Sequence, residues 1–465
     1  MISKVFKAYD VRALYPDPLD EKVGFKVGYA TAAYLKKEVG DGPIAVSRDM
    51  RPSAPSMAQA LINGLTAAGA DVIDLGMCDT SQQYFAIPHL GAIGGVQVTA
   101  SHNPIDYIGF KISREDAKPV GRDTGLLDIQ AIAEGLNGSE EAGSPGSVEQ
   151  RDLWDAYRAH ILGFMGELAR PLKLYVDASN GMGTSLLEKV FAGVPNLEIT
   201  AINNVYSDKW AHEPNPLVPE NVLPTIEGVK ATGADLGACF DGDADRCMLV
   251  DDAGVICGCD HLTAWLADHF VSQSHADASS KKPTTIVYDL RSSKVVEESV
   301  KALGAEPRMS KVGHVNMKAV LRESGGVFGG ELSGHFYFRD NSYADSGAIT
   351  LAAAMQVLAK GGAKLSEQIG GFRKYPQSGE LNFQTPDKQA AIDGVKQKYG
   401  ADADAVLELD GVSVDCFESQ GWWANIRASN TEPLLRLNME AKDQATLDKM
   451  LGEIAPTLGT PDAGH

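Results

Sequence analysis

Asp241, Asp243 and Asp245 alternate with Gly242 and Ala244 between an apolar run, Leu236-Gly237-Ala238-Cys239-Phe240, and the cation Arg246. Alternate residues of an extended chain point to one side. A short curved loop therefore brings the three carboxylates together, and the small residues between them permit a tight bend. The flanks, with Met248-Leu249-Val250 on the far side, read as buried strands. Three like charges between buried strands are costly without a counter-ion. That points to a hard divalent cation; the plainer alternative is a solvated acidic turn. An EF-hand is a poor match, because Arg246 occupies the loop position where a glycine must turn the chain. Three carboxylates leave octahedral magnesium short of ligands, so a phosphate or waters must complete the shell.

The segment Thr99-Ala100-Ser101-His102-Asn103-Pro104 follows another apolar strand, Gly94-Gly95-Val96-Gln97-Val98, and sets a hydroxyl beside an imidazole. Its bland reading is a polar turn stopped by proline. A Ser-His-Asp hydrolase is disfavoured, since no GxSxG elbow occurs and adjacent residues rarely supply both nucleophile and base. A phosphate carried on Ser101 would supply the oxygen ligand that the carboxylates lack. The two segments then become one site.

The elements that must position these loops follow a repeated pattern. Val23, Val27, Ala30 and Tyr34 recur at helical spacing and precede a short strand over Pro43 to Val46; Met57, Leu61 and Leu65 precede Val72 to Leu75. The cycle restarts at Leu172 to Val176, with a helix near Leu186, and again at Thr285 to Leu290. Alternating strands and helices predict α/β layers with parallel pairing. Open sheets of this kind place ligands at the carboxyl ends of their strands, where TASHNP, DGDADR and, after Gly325-Gly326-Val327-Phe328, GGELSGH all fall. Residues 135–148 read as a linker or exposed loop and residues 272–284 as a surface excursion.

The chain of 465 residues, 44% of them hydrophobic, suffices for several cores. Its formal charge of -20 argues against a nucleic-acid or anionic membrane surface. No apolar run approaches a membrane span and the N-terminus lacks a leader's apolar core, so the expectation is a cytoplasmic protein. The six scattered cysteines, among them Cys257 and Cys259, read as free buried thiols.

VTASHNP, Gly109-Phe110-Lys111, FDGDADR, GGELSGH and Arg427-Ala428-Ser429-Asn430-Thr431-Glu432-Pro433 together, in this order, resemble the motifs of the α-D-phosphohexomutase superfamily. The match begins at Ala8-Tyr9-Asp10-Val11-Arg12 and covers essentially the whole chain. The resemblance implies three similar mixed-sheet α/β/α domains and a smaller C-terminal α+β domain around a central cleft, with boundaries expected at 1–150, 151–253, 254–368 and 369–465. It implies that Ser101 is a phosphoserine and that Asp241, Asp243 and Asp245 hold Mg²⁺ with an oxygen of that phosphate. Lys111 and His335 correspond to general acid/base groups, with a depressed pKa required of Lys111 if it is to act as base; His102 and Arg246 stand beside the phosphoserine. Glu331 and Ser333 correspond to sugar-hydroxyl ligands, reaching from one face of an extended loop. Tyr9, Arg12, Arg291, His314, Arg427, Ser429, Asn430 and Thr431 correspond to substrate or phosphate contacts.

Three residues depart from the family pattern. Ile108 stands where asparagine usually precedes Gly-Phe-Lys, Ala13 replaces a glycine, and Arg291 takes a position held by lysine in some members. Arginine cannot shuttle a proton, so Arg291 reads as a clamp. The closest similarity is to phosphomannomutases, which implies conversion of mannose 6-phosphate to mannose 1-phosphate through a hexose 1,6-bisphosphate. A phosphoglucomutase or dual-specificity enzyme is the alternative, and Asn430 disfavours a phosphoglucosamine mutase. Outside the class stand a metal-dependent sugar phosphatase and a non-catalytic sugar-phosphate binder. The expected partners are hexose phosphates, with no nucleic acid or membrane, in a monomer or dimer.

Overall fold

The computed structural model describes residues 2–140, 143–276, 283–429 and 434–462. It divides into two units, residues 1–257 with 333–366, and residues 258–332 with 367–465.

In the first unit the chain forms β1 (Val11–Leu14), helix α1 (Glu21–Glu38), β2 (Ile44–Arg48), helix α2 (Ala54–Ala67), β3 (Val72–Met77), helix α3 (Thr80–His89), β4 (Gly94–Val98), β5 (Tyr107–Arg114) and β6 (Val148–Gln150). The sheet order is β1-β5-β4-β2-β3-β6. β2 pairs parallel with β3 and β4, whereas β5 pairs antiparallel with both β1 and β4. The sheet is therefore mixed, because β5 follows β4 through a turn too short for a crossover. All five residues of β4 are buried, as expected of a central strand covered on both faces. Asp20 caps α1, its Oδ1 accepting from the Val23 amide at 2.9 Å.

A second sheet in this unit has the order β10-β9-β7-β8, built from β7 (Leu172–Asp177), β8 (Leu197–Ile202), β9 (Leu236–Phe240) and β10 (Cys247–Asp251). β9 and β10 are antiparallel and wholly buried, and Phe240 pairs with Cys247 across the loop that carries the three aspartates. The expected helix near Leu186 is present, with a π-helical stretch over Leu186–Phe191.

The second unit carries β11 (Thr285–Asp289), with β12 (Glu306–Ser310) and β13 (Phe328–Gly330) parallel on either side. β13 begins later than the sequence suggests, because Gly325 closes the preceding helix His314–Ser324 in a left-handed conformation. In the first unit, residues Phe336–Phe338 (β14) and Ala344–Asp345 (β15) form an antiparallel pair. The C-terminal part of the second unit is an antiparallel sheet, β17-β18-β19-β20-β16-β21, of β16 (Gln377–Gln384), β17 (Ala405–Leu407), β18 (Val412–Cys416), β19 (Trp422–Ala428), β20 (Leu434–Ala441) and β21 (Thr460–Pro461).

The expected excursion at 272–284 is helical through Ala276, where the helix Cys259–Ala276 ends, and 277–282 lie outside the described residues. All six cysteines are buried thiols. Among the described residues no helix is long and apolar enough to cross a membrane.

α1 and α2 pack with their backbones unusually close. A methyl group on Gly64 would sit 2.0 Å from the Phe25 carbonyl oxygen and 2.7 Å from the Tyr29 nitrogen. Gly64→Ala should therefore lower stability by roughly 1–3 kcal/mol through overpacking, even though alanine is the better helix former by about 1 kcal/mol. Urea unfolding followed by circular dichroism measures this; an unchanged or raised midpoint would show that the helices part freely.

Candidate active site

β4 delivers the Ser101 loop, and Ser101 itself adopts φ 54°, a left-handed conformation that costs energy for a serine. A buried network holds it there. Arg51, which follows β2 and is fully buried, donates Nη2 bonds to the carbonyls of Ser101 and Asn103, both at 2.7 Å. Its Nε pairs with Asp49 at 3.1 Å, and Asp49 accepts from Thr99 Oγ1 at 2.7 Å. Thr99 Oγ1 in turn accepts from the Ser101 amide at 2.9 Å. The indole of Trp210 stacks on the Arg51 guanidinium, 5.1 Å from ring centre to Cζ. Serine 101 is thus held by its backbone, which leaves its hydroxyl for chemistry.

The three aspartates do converge, with ligand oxygens within 4.8 Å of one another. They do so through a turn with Ala244 at φ 58°, not by extended alternation. Gly242 is required by close approach, since a side chain there would meet the Ser101 carbonyl oxygen at 2.5 Å. That contact brings the two loops together: Ser101 Oγ lies 3.4 Å from Asp241 Oδ2, across 140 positions of sequence.

The aspartates have unequal partners. Asp241 accepts from the Arg246 amide at 3.2 Å and from Arg246 Nε at 2.9 Å. Asp243 Oδ2 accepts from Thr80 Oγ1 and from Lys111 Nζ at 2.6 Å, and Lys111 Nζ also reaches Asp245 Oδ2 at 2.5 Å. Oδ1 of Asp243 and Oδ1 of Asp245 are buried without a hydrogen-bond partner. Orphaned oxygens within a cluster of three buried carboxylates are what a hard cation demands, so the donor set fits Mg²⁺.

Electrostatics follow from this crowding. Burial pushes Asp241 up, to about 7, against the pull of Arg246. Burial acts the same way on Asp243, but the Lys111 ammonium and the hydrogen bonds to it and Thr80 hold that carboxyl well below its usual range. Burial disfavours charge on Lys111 too, yet Asp243 and Asp245 override it and raise its pKa well above the ordinary lysine value. The two carboxylates thus favour the charged form of Lys111, the opposite direction to the depressed pKa that a lysine base would require. His102 is neutral, because burial and the guanidiniums of Arg246 and Arg12 hold it well below the usual value. Its Nδ1 accepts from Arg246 Nη2 and lies 3.3 Å from Ser101 Oγ.

His335 also joins this group. Its Nδ1 bonds Asp345 Oδ2 at 2.7 Å and lies 3.8 Å from Asp245 Oδ1. Burial opposes its protonation, but Asp245 and the bond to Asp345 raise its pKa. Arg12 pairs with Asp10 and reaches Asn103 Oδ1, against the Ser101 loop. Tyr9 is half-buried nearby in sequence, and Ser333 has a buried Oγ without a partner.

The remaining expected ligands belong to the second unit. Arg291 donates to Asp289 at 2.8 Å and to Glu380 at 3.1 Å, and lies 3.8 Å from Glu331. Glu331 Oε1 accepts from the Gly313 amide at 2.9 Å, next to His314 at the start of its helix. Glu331 and Ser333 occupy a turn with Gly334 at φ 85°, not the extended loop expected. Arg427 binds Glu380 at 2.9 Å and Ser429 is half-buried; Asn430 and Thr431 lie outside the described residues.

Sequence reasoning missed Thr80, Asp49, Arg51, Thr99 and Asp345. Thr80 follows the helix cap Asp79, and Arg51 lies in a polar loop at the carboxyl end of β2, signals that could have marked both. Ile108 is buried in the core of the first sheet. It stands three residues from Lys111 on β5, hence on the opposite face, and supports nothing there.

The chain matches four family models in order. They are described as phosphoglucomutase/phosphomannomutase alpha/beta/alpha domain I over residues 3–139, domain II over 155–254, domain III over 259–375 and the C-terminal domain over 380–457. It is 37% identical over 463 residues to a Xanthomonas campestris protein described as phosphohexose mutases, covering 98% of this chain and all of that one. It is 38% identical over 451 residues to the phosphomannomutase of Salmonella montevideo, covering 95% and 96% respectively. The crystal structure of a phosphoglucomutase/phosphomannomutase family protein from Burkholderia thailandensis superimposes with a TM-score of 0.87 at 33% identity, over 98% of this chain and 96% of that one.

Two measurements test this geometry. Asp243→Asn removes one carboxylate charge and one potential ligand oxygen, so the Mg²⁺ concentration for half-binding should rise at least about tenfold, the equivalent of 1.4 kcal/mol. Calorimetric titration with Mg²⁺ reads it directly, and an unchanged curve would refute the metal assignment. Farther out, His212 Nε2 meets Asp177 Oδ2 at 3.0 Å, on the segment that carries Trp210 to Arg51. Burial lowers its pKa, but the bonds to Asp177 and the Glu213 carbonyl outweigh burial and raise it. A His with a raised folded-state pKa contributes stability below its unfolded value, about 6.5, and loses that contribution as pH rises through the folded value. Proton NMR titration should place the His212 midpoint above 6.5 and Asp177→Asn should lower it; a midpoint unmoved by that substitution would contradict the pairing.

Proposed function

Because the chain belongs to the phosphoglucomutase/phosphomannomutase family, whose members are isomerases acting on hexose phosphates, we propose that it interconverts mannose 6-phosphate and mannose 1-phosphate through a phosphorylated Ser101. The observation that carries this reading is the hydroxyl of Ser101 lying 3.4 Å from Asp241, beside two orphaned carboxylate oxygens.

In the first step, the bond between phosphorus and Ser101 Oγ breaks as a bond forms to a hydroxyl oxygen of the sugar phosphate. The hydroxyl gives up its proton and Ser101 Oγ gains one. The hexose 1,6-bisphosphate so formed then returns its other phosphoryl group to Ser101. Lys111 and His335 are the groups we assign to these protons. Lys111 enters as the donor, because Asp243 and Asp245 keep it charged. His335 is oriented by Asp345 through Nδ1. His102 and Asp241 lie beside Ser101 Oγ and both accept from Arg246, whose guanidinium is so placed that it can steady a phosphate dianion there. Asp241, Asp243 and Asp245 would hold a magnesium ion, which would supply positive charge to offset that on the transferring phosphoryl group.

The non-reacting phosphate is assigned to Arg427 with Ser429, Asn430 and Thr431, and to Arg291 and His314. Glu331 and Ser333 are assigned to the sugar hydroxyls, and Tyr9 and Arg12 to further substrate contacts. Four domains over 1–150, 151–253, 254–368 and 369–465 would then share the work, the first two supplying phosphoserine and metal.

The purified protein should carry about one phosphate on Ser101, whose phosphorylated form is nearly dianionic at neutral pH. Intact mass with peptide mapping detects it. Ser101→Ala should lose turnover by roughly a thousandfold or more, as when a covalent nucleophile is removed. Coupled assays on mannose 1-phosphate and glucose 1-phosphate provide the readout and rank the two sugars; near-full activity of the alanine variant would sink the mechanism, and release of inorganic phosphate would mark a phosphatase.

A further inference from the structure

The C-terminal sheet places two arginines directly opposite each other, Arg427 on β19 and Arg436 on β20. Like charges facing across an antiparallel pair repel, so this arrangement needs an anion between them. Glu380 provides it. Its carboxylate accepts from Arg427 Nη2 at 2.9 Å and from Arg436 Nη1 at 2.8 Å, and also from Arg291 Nη1 at 3.1 Å at the end of β11. Three guanidiniums thus converge on one side chain. The pairing of β16 with β20 shifts register between Gln377 and Glu380, a bulge of the kind that re-aims a side chain.

Two features separate this from an ordinary buried brace. Arg427 is 2% exposed, yet its Nε has no hydrogen-bond partner, so one Arg427 donor remains unused even with Glu380 in place. Glu380 is 26% exposed, the most open side chain of the four, so another anion can reach the donors it occupies. A guanidinium fork fits carboxylate and phosphate alike, and a tetrahedral phosphate offers more acceptor oxygens to satisfy the remaining donor.

We propose that Glu380 is a resident stand-in for the ligand's phosphate. It holds Arg291, Arg427 and Arg436 in binding geometry and yields those donors when a phosphate arrives. The inference rests on the reading of Arg427 as a ligand of the non-reacting phosphate. Glu380 is in this sense a positioning residue with a cost: it keeps the arginines ordered and competes with the ligand for them.

The test is binding of inorganic phosphate to the full-length protein by calorimetry, with no turnover required. Glu380→Gln keeps the shape and removes the competing charge, and should bind phosphate about tenfold more tightly. A merely structural role predicts the opposite, since losing a brace weakens binding; unchanged or weaker binding would overturn the proposal. Adding Arg427→Gln to the first substitution should abolish the gain, and a gain that survives places it at another site and also overturns the proposal. Should Glu380→Gln prove unfolded by circular dichroism, Glu380→Asp retains the charge on a shorter arm, and the same two outcomes, tighter or not, decide. Failure of the mutase reading appears separately, as wild-type protein that turns over no hexose phosphate.

Discussion

Three carboxylates buried within one short turn constrain everything around them. Each is fully or almost fully removed from water, and mutual repulsion in a low-dielectric interior is severe. The fold answers with cations and donors from several separate segments: Arg246 on Asp241, Lys111 on Asp243 and Asp245, Thr80 on Asp243. These partners neutralise part of the charge and leave two oxygens unsatisfied. A fold selected for stability alone would have no use for such a residue of unmet demand. It is the vacancy in the hydrogen bonding, more than the carboxylates themselves, that argues for a metal.

The second constraint is the conformation of Ser101. A left-handed serine persists only where its surroundings determine it, and Arg51 does so with bonds to the carbonyls of Ser101 and Asn103. Arg51 is itself fixed by Asp49 and covered by Trp210, so strain at Ser101 is supported by a chain of contacts from β2 to the segment after β8. The same loop is touched by Gly242 of the aspartate turn, where a side chain would collide with the Ser101 carbonyl. Ser101 and the three aspartates are therefore registered against each other by backbone contact, which is stiffer than contact through long side chains.

Much of this was legible in the sequence, and the rest was hidden for identifiable reasons. Alternation of apolar strands and helices located β2, β3, β4, β7, β9 and β11 to within a few residues, because buried parallel strands are short apolar runs bounded by polar turns. Ser101 and the three aspartates stood out because they follow such runs. The antiparallel return of β5 onto β4 was not evident in periodicity, which carries no direction of pairing. Arg51 and Thr80 escaped because they act across 50 and 163 positions, and Asp345, ten positions from His335, because its surroundings look like an ordinary loop. The electrostatic setting of Lys111 was hidden for the same reason as that of Arg51 and Thr80, since its partners Asp243 and Asp245 lie more than 130 positions away.

The charge of the chain as a whole points the other way from the chemistry of its sites. A protein with a formal charge of -20 repels anionic substrates at long range, so binding must be won within a few ångströms. Each unit nevertheless concentrates arginines and lysines, all but Arg436 largely buried: Arg246 and Lys111 in one, Arg291, Arg427 and Arg436 in the other. Burial makes each cation costly, and in both places the cost is offset by carboxylates that a phosphate or a metal can replace or share. On the proposed reading, exchange of one anion for another, with the number of buried charges nearly constant, would let such a site accept a phosphate without the full penalty of desolvating its own cations.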